Sequence, residues 1–305
     1  MTQKFVQRRI LDHCDQVVIY GANGWMGRSA LDYISTNSPQ FGKESVLLIG
    51  SKPSTLRVKN ETFEVVDPST GFFAIRENSI FFNAAFLRRE FLQQMPLAQY
   101  RDKNEEIADF AKNAIKQKKI ISFINLSSGA ARDLDRRSEI STVDEYSRIK
   151  NSLESAYLEF CSEHHTSFVN CRIYNLTGKN LNEFENLALS SFINQVRTQN
   201  RIEVKSPATK RTYVDATNLA GTLLSVGSFG EEASFDSGGT LLTMFELAES
   251  VAEVLGNDQT EIIMGNDRSP DYFGDFENFN RLATKMGQNL IGMKDQILNT
   301  MKAFN

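Results

Sequence analysis

The chain has 305 residues, 41% hydrophobic and 24% charged, with a formal net charge of −4; this suits a soluble α/β protein and offers neither a basic block for nucleic acid nor a long disordered tract. Cys14, Cys161 and Cys171 lack CxxC spacing and His13, His164 and His165 are the only histidines, so no zinc ligand set exists and a reducing compartment is expected. The first residues, MTQKFVQRRILDHCD, are charged throughout, and no run nears the roughly 20 apolar residues of a membrane span, so a cytoplasmic protein without a leader is expected.

Short apolar runs predict strands at 17–20 (VVIY), 46–50 (VLLIG), 63–66 (FEVV), 79–83 (SIFFN), 120–126 (IISFINL) and 167–173 (SFVNCRI). Helical patterns lie among them at 27–35, 104–117 and 144–163. Strands apolar on both faces, alternating with helices, predict a doubly wound parallel sheet, the Rossmann arrangement. Beyond Arg172 the pattern loosens, with helices expected at 183–199 and 243–255 and polar Gly/Ser segments such as 225–240. The expected division is a first domain over 1–174, with 211–256 returning to it, and a small discontinuous C-terminal substrate lobe from 175–210 and 257–305.

The strand at 17–20 runs into Gly21-Ala22-Asn23-Gly24-Trp25-Met26-Gly27 and then a helical pattern. Glycines let backbone approach a pyrophosphate, and a helix N-terminus presents free N–H groups to it. The strand-to-helix context raises this string above a chance run of glycines, so residues 21 and 23–27 are candidate dinucleotide contacts. A ribose 2′-hydroxyl is usually met by an acid about 20 residues further on. Here the second strand ends Gly50-Ser51-Lys52, with Arg57 nearby and no acid before Glu61. That pattern favours NADP over NAD.

Tyr146 and Lys150 are four apart in a helical pattern and so share a face. A phenol of pKa near 10 becomes a useful acid/base when an ammonium stabilises its phenolate. The strand at 120–126 delivers Ser127 and Ser128 at its carboxyl end, where sheets of this kind place ligands.

With these features in this order, the chain resembles the extended short-chain dehydrogenase/reductase family, the NAD(P)-dependent epimerases, dehydratases and reductases of nucleotide sugars, over roughly residues 15–256. The resemblance also rests on Asp67, similar to the family's adenine-side acid, on Asn83-Ala84-Ala85, similar to its turn along the cofactor, and on Asn104. It extends to Arg172-Ile-Tyr-Asn175-Leu-Thr-Gly178, to Arg211-Thr-Tyr-Val-Asp215 and to Phe245-Glu-Leu-Ala-Glu249. It implies that Ser128, Tyr146 and Lys150 are catalytic, with Tyr146 as proton donor and acceptor and Lys150 on the nicotinamide ribose. It implies that Asn175 and Arg211 face a nucleotide-linked sugar, Arg211 at the diphosphate; Phe86, which follows the cofactor turn, and Ser127, at the strand end, are expected at the same substrate. It also suggests a homodimer through the helices at 104–117 and 144–163.

The sequence departs from the family where Gly129-Ala130 follows Ser128, since dehydratases carry an Asp-Glu pair directly after the catalytic hydroxyl residue. Dehydration is therefore disfavoured. The expected reaction is NADPH-dependent reduction of a nucleotide-linked 4-keto-6-deoxy sugar. The alternatives are an NAD-dependent 4-epimerase on the same scaffold and a non-catalytic dinucleotide sensor. No metal is expected.

Overall fold

The computed structural model describes residues 11, 13–38, 41–136, 145–181, 187–256 and 259–304, with the side chains of 133–136 outside the description. The chain forms two compact units, residues 1–171 with 220–234 and residues 172–219 with 235–305.

The first unit is built in chain order from β1 (Gln16–Tyr20), α1 (Trp25–Asn37), β2 (Val46–Ile49), β3 (Ser54–Val58), β4 (Glu61–Val66), α2 (Pro68–Ala74), β5 (Ser79–Asn83), α3 (Leu97–Lys118), β6 (Ser122–Ser128), α4 (Gly129–Arg136), α5 (Glu145–Glu163) and β7 (Ser167–Ile173). Two later elements, α7 (Ala216–Ser228) and β11 (Ala233–Asp236), return toward it, and both straddle the division. The eight strands are ordered β11-β7-β6-β5-β1-β2-β4-β3. Strand β1 pairs in parallel with β2 and β5, and β5 with β6. Every residue of β1, β5 and β6 is buried, as strands covered on both faces must be. One face carries Val18, Tyr20, Phe81 and Phe123 against Ala108, Ala111 and Ile115 of α3 and Tyr157 and Cys161 of α5. On the opposite face Gly227 of α7 sits so close to Ile124 that an added Cβ would lie 2.9 Å from its Cδ1. Helices on both faces make this the doubly wound fold expected from the sequence. The strand order reverses at β1 and β5, which opens a crevice at their carboxyl ends.

Strand β3 and helix α7 are among the elements here that escape the sequence patterns. Strand β3 forms an antiparallel edge with β4 around a Lys59-Asn60 turn. Its alternation of half-buried and exposed residues is the signature of an edge strand, weaker than the solid apolar runs of the centre. Helix α7 buries Leu219, Ala220, Thr222, Leu223, Leu224, Ser225 and Val226 completely. A helix enclosed all round has no polar stripe, so periodicity does not mark it.

The second unit adds β8 (Asn175–Thr177), α6 (Ala188–Gln199), β9 (Arg201–Val204), β10 (Lys210–Asp215), β12 (Thr240–Thr243), α8 (Met244–Leu255), β13 (Glu261–Met264), α9 (Phe276–Lys285) and α10 (Met293–Met301). Strand β10 is central, parallel to β8 and antiparallel to β12, while β9 and β13 form a parallel pair. Leu189, Phe192 and Ile193 of α6 pack with Ile202, Tyr213, Leu247, Val251 and Ile297 in a core of its own. That core explains the difference from the expected division. Residues 211–219 and 235–256 belong with the lobe, because β10, β12 and α8 supply its centre; only 220–234 return. Residues 183–186 of the expected helix lie outside the described residues, and α6 begins at Ala188.

Candidate active site

Backbone hydrogen bonds tie the glycine loop to the neighbouring strand. Backbone N–H groups of Gly21 and Ala22 both donate to the Ile49 carbonyl, at 2.9 and 3.1 Å. Gly21 has φ of +85°, and a Cβ there would lie 2.6 Å from the Ala84 carbonyl carbon and from the Ala85 nitrogen. Gly27 passes so near that its Cβ would meet the Gly21 oxygen at 2.4 Å. The two glycines thus let three backbone segments converge, as a dinucleotide turn requires. Helix α1 opens after Gly24 with no side-chain cap and no acid in its first turn. Its first N–H groups and the positive end of its dipole are therefore open to an anion. The indole Nε1 of Trp25 is buried without a hydrogen-bond partner, whereas the Met26 side chain is buried in the core. The cradle fits a pyrophosphate.

Around the loop, the sequence-predicted residues divide. Asn23 exchanges hydrogen bonds with Ser54 of β3 at 3.1 and 3.2 Å, a partner that sequence reasoning missed. Arg57 pairs with Thr62 and is exposed; it stands three residues from Ser54, so strand alternation puts it on the opposite face. Arg57, expected near a 2′-phosphate, therefore faces away from Asn23. Ser51 and Lys52 are exposed and follow the end of β2. Asp67 caps α2, accepting from the Thr70 N–H at 3.0 Å and the Ser69 hydroxyl at 2.5 Å, and these bonds hold its carboxyl down at about 2. Asn83 is buried two residues beyond Phe81, hence on the same sheet face as that core residue. Its neighbours Ala84 and Ala85 provide the backbone against Gly21. Asn104, expected at the cofactor, has its amide committed elsewhere: its Oδ1 accepts from Leu87 N at 3.0 Å and its Nδ2 donates to the Tyr100 carbonyl at 2.9 Å. With the Tyr100 hydroxyl donating to the Leu87 carbonyl at 2.7 Å, it braces the segment that carries Phe86.

Strand β6 runs two residues beyond the apolar run, so Ser127 and Ser128 are its last members and both are buried. Ser128 Oγ accepts from Ala130 N at 3.3 Å at the start of α4. Lys150 is 8% exposed and donates from Nζ to the Leu126 carbonyl at 2.7 Å. Its Nζ also lies 3.8 Å from the centre of the Phe86 ring, a cation–π contact. That ring meets Tyr146 edge-on, with centroids 5.6 Å apart at 83°. Phe86, expected at the edge of a substrate pocket, thus touches both helix residues. Burial pulls the Lys150 ammonium down to about 7, opposed by the charge of Glu154. Glu154 was also missed from sequence. It is buried one turn past Lys150, and its carboxylate accepts the Ser127 hydroxyl. The signal was available, because Tyr146, Lys150 and Glu154 recur at intervals of four.

In the second unit Asn175 donates to the Thr212 carbonyl at 3.0 Å and so braces β10. Arg211 on β10 has a buried Nε without a hydrogen-bond partner. It lines a cavity of about 450 Å³ together with Arg201, Lys205, Ser206, Phe192 and Met244. Among the described residues no cluster of His, Cys, Asp or Glu could hold a metal ion, and no helix is long and apolar enough to cross a membrane.

A doubly wound sheet with a glycine cradle at its strand crossover, and a Tyr/Lys pair beside strand-end serines, defines a dinucleotide-dependent oxidoreductase class. The sequence profile of the NAD-dependent epimerase/dehydratase family matches residues 17–232, and the chain belongs to that family. No match was found among curated protein sequences. Similar solved structures include a UDP-N-acetylglucosamine 4-epimerase from Methanobrevibacter ruminantium, 17% identical with a TM-score of 0.73 over 95% of this chain and 98% of that one. A UDP-glucose 4-epimerase from Thermotoga maritima is 16% identical, with a TM-score of 0.70 over 95% and 98%. A UDP-N-acetylglucosamine 4-epimerase from Bacillus cereus is 14% identical, with a TM-score of 0.69 over 95% of each chain. At these identities the likeness establishes the fold.

Proposed function

We propose that this enzyme reduces a nucleotide-linked 4-keto-6-deoxy sugar with NADPH. The observation that carries the choice of cofactor is the end of β2, where Gly50-Ser51-Lys52-Pro53 offers a hydroxyl and an ammonium and no carboxylate. A ribose 2′-hydroxyl would find no acid there, whereas a 2′-phosphate would find both groups. The cofactor, when bound, supplies the hydride. Tyr146 then gives its phenolic proton to the developing alkoxide, and the Lys150 charge stabilises the phenolate left behind. Ser128 donates its hydroxyl to the same substrate oxygen. Phe86 holds Tyr146 and Lys150 in register. Gly129 and Ala130, at the start of α4, carry no acid or base for eliminating water.

A second reading, an NAD-dependent 4-epimerase, is favoured by one structural observation: with Arg57 on the far face of β3, Lys52 alone remains of the two cations expected at a 2′-phosphate. Solved structures of the same fold include several UDP-sugar 4-epimerases. Extraction of dinucleotide from the purified protein, followed by NADPH absorbance with a panel of nucleotide-linked 4-keto sugars, separates the two. Stoichiometric loss of NADPH supports reduction. Tightly held NAD with sugar interconversion and no net NADPH loss replaces that reading with epimerisation.

For Arg211 the proposed partner is the substrate diphosphate, which a guanidinium can hold by two parallel bonds. Replacing it with alanine should raise KM for the nucleotide sugar about tenfold to a hundredfold, given about 1.5–3 kcal/mol for a hydrogen bond to a charged group. Turnover at saturation should fall far less. An unchanged KM in steady-state kinetics would remove Arg211 from the substrate site.

A further inference from the structure

The buried stripe of α5 does not end at Lys150. Tyr146, Lys150 and Glu154 stand at successive turns, with Lys150 and Glu154 both 8% exposed. Strand β6 meets this pair with two consecutive residues: the Leu126 carbonyl accepts from Lys150 Nζ at 2.7 Å, and the Ser127 hydroxyl donates to Glu154 Oε1. A carboxylate is buried at such cost only when a donor and a counter-charge accompany it. Ser127 supplies the donor and Lys150 lies one turn away. Ser127, expected at the substrate, forms the strand's half of this clasp, and Ser128 follows directly in the chain. Resting on the functional reading above, we propose that Glu154 is a positioning residue of the reaction, a buried carboxylate that keeps Lys150 charged and bound to Leu126, and so acts on Tyr146 through Lys150.

The clasp makes two demands on Glu154, an acceptor oxygen and a negative charge, and substitutions separate them. Glu154→Gln keeps the length and an acceptor for Ser127 but removes the charge. Glu154→Asp keeps the charge on a shorter arm. Ser127→Ala removes the donor and leaves the charge.

The direct readout is the charge state of Lys150, followed by the 13Cε chemical shift in lysine-labelled protein at neutral pH, with the signal assigned from Lys150→Arg. An adjacent charge moves a pKa by about one unit or more, so the ammonium-to-amine ratio of Lys150 should fall about tenfold in Glu154→Gln. It should change little in Ser127→Ala and be largely restored in Glu154→Asp. In turnover, Glu154→Gln should lower kcat about tenfold at unchanged KM for the nucleotide sugar. A Lys150 signal in Glu154→Gln identical to that of the parent protein overturns the proposal, even where the parent shows no turnover of any nucleotide sugar. Loss of that signal's ammonium character in a protein that turns over no nucleotide sugar sustains the charge coupling and defeats the functional reading alone. If Glu154→Gln unfolds, the ratio in Glu154→Asp against Ser127→Ala decides: charge coupling requires the first to keep Lys150 charged, and a discharged Lys150 there rejects it.

Discussion

Tyr146→Phe should leave a folded protein that binds NADPH and turns over its sugar about a thousandfold more slowly. General acid catalysis by a positioned side chain is worth about 10²–10⁴ in rate, and Tyr146→Phe removes the phenolic group proposed to carry the proton while leaving Lys150 in place. The ring itself should stay in place. Phe86 meets Tyr146 edge-on, a contact that a phenyl group preserves, and Lys150 and Glu154 hold α5 to β6. Stopped-assay kinetics with nicotinamide fluorescence check both halves. A loss of rate with cofactor binding retained fits a proton donor. Full activity would show that the proton comes from another group, and a joint loss of cofactor affinity would point to a positioning role instead.

The second large effect belongs to the glycine cradle. Gly27→Ala should abolish tight dinucleotide binding, because the new Cβ would stand 2.4 Å from the Gly21 oxygen and 2.7 Å from Ala22 Cα. Both obstacles are backbone, so no side chain can swing away; α1 must move off the loop, and its N–H groups leave the pyrophosphate with it. Overpacking of this kind costs about 1–3 kcal/mol in stability. Gly21→Ala adds a left-handed backbone penalty of about 1–2 kcal/mol to a clash of 2.6 Å with Ala85 N. Gly24→Ala is the internal control, since its Cβ would meet only the Gly21 oxygen, at 3.2 Å. The expected ranking, by dinucleotide titration and denaturant unfolding, has Gly21 and Gly27 far more sensitive than Gly24. Equal tolerance at all three positions would mean that the loop does not serve as a phosphate cradle.

Much of this was legible in the linear chain. Buried parallel strands must be apolar on both faces, so VVIY, SIFFN and IISFINL announced the centre of the sheet. Glycines that allow close backbone approach, set between a strand and a helix, announced the cradle. Tyr146 and Lys150 share a helix face by spacing alone. These features are local: their meaning depends on neighbours within one element or one turn.

What the tertiary structure alone decided is the choice of partner across long stretches of chain. Asn104 sits on a helix at a position that resembles a family cofactor residue, yet its amide is taken by Leu87 and Tyr100. Arg57 is close in sequence to Ser51 and Lys52, but the β3–β4 hairpin turns it to the face away from Asn23. Ser127 and Glu154 are 27 residues apart and meet only because α5 packs along β6. The all-buried α7 and the lobe's ownership of β10, β12 and α8 depend likewise on which core each element enters. Spacing along the chain fixes which side chains share a face of one element, whereas a polar group's partner is fixed only when two elements have packed and water has been excluded between them.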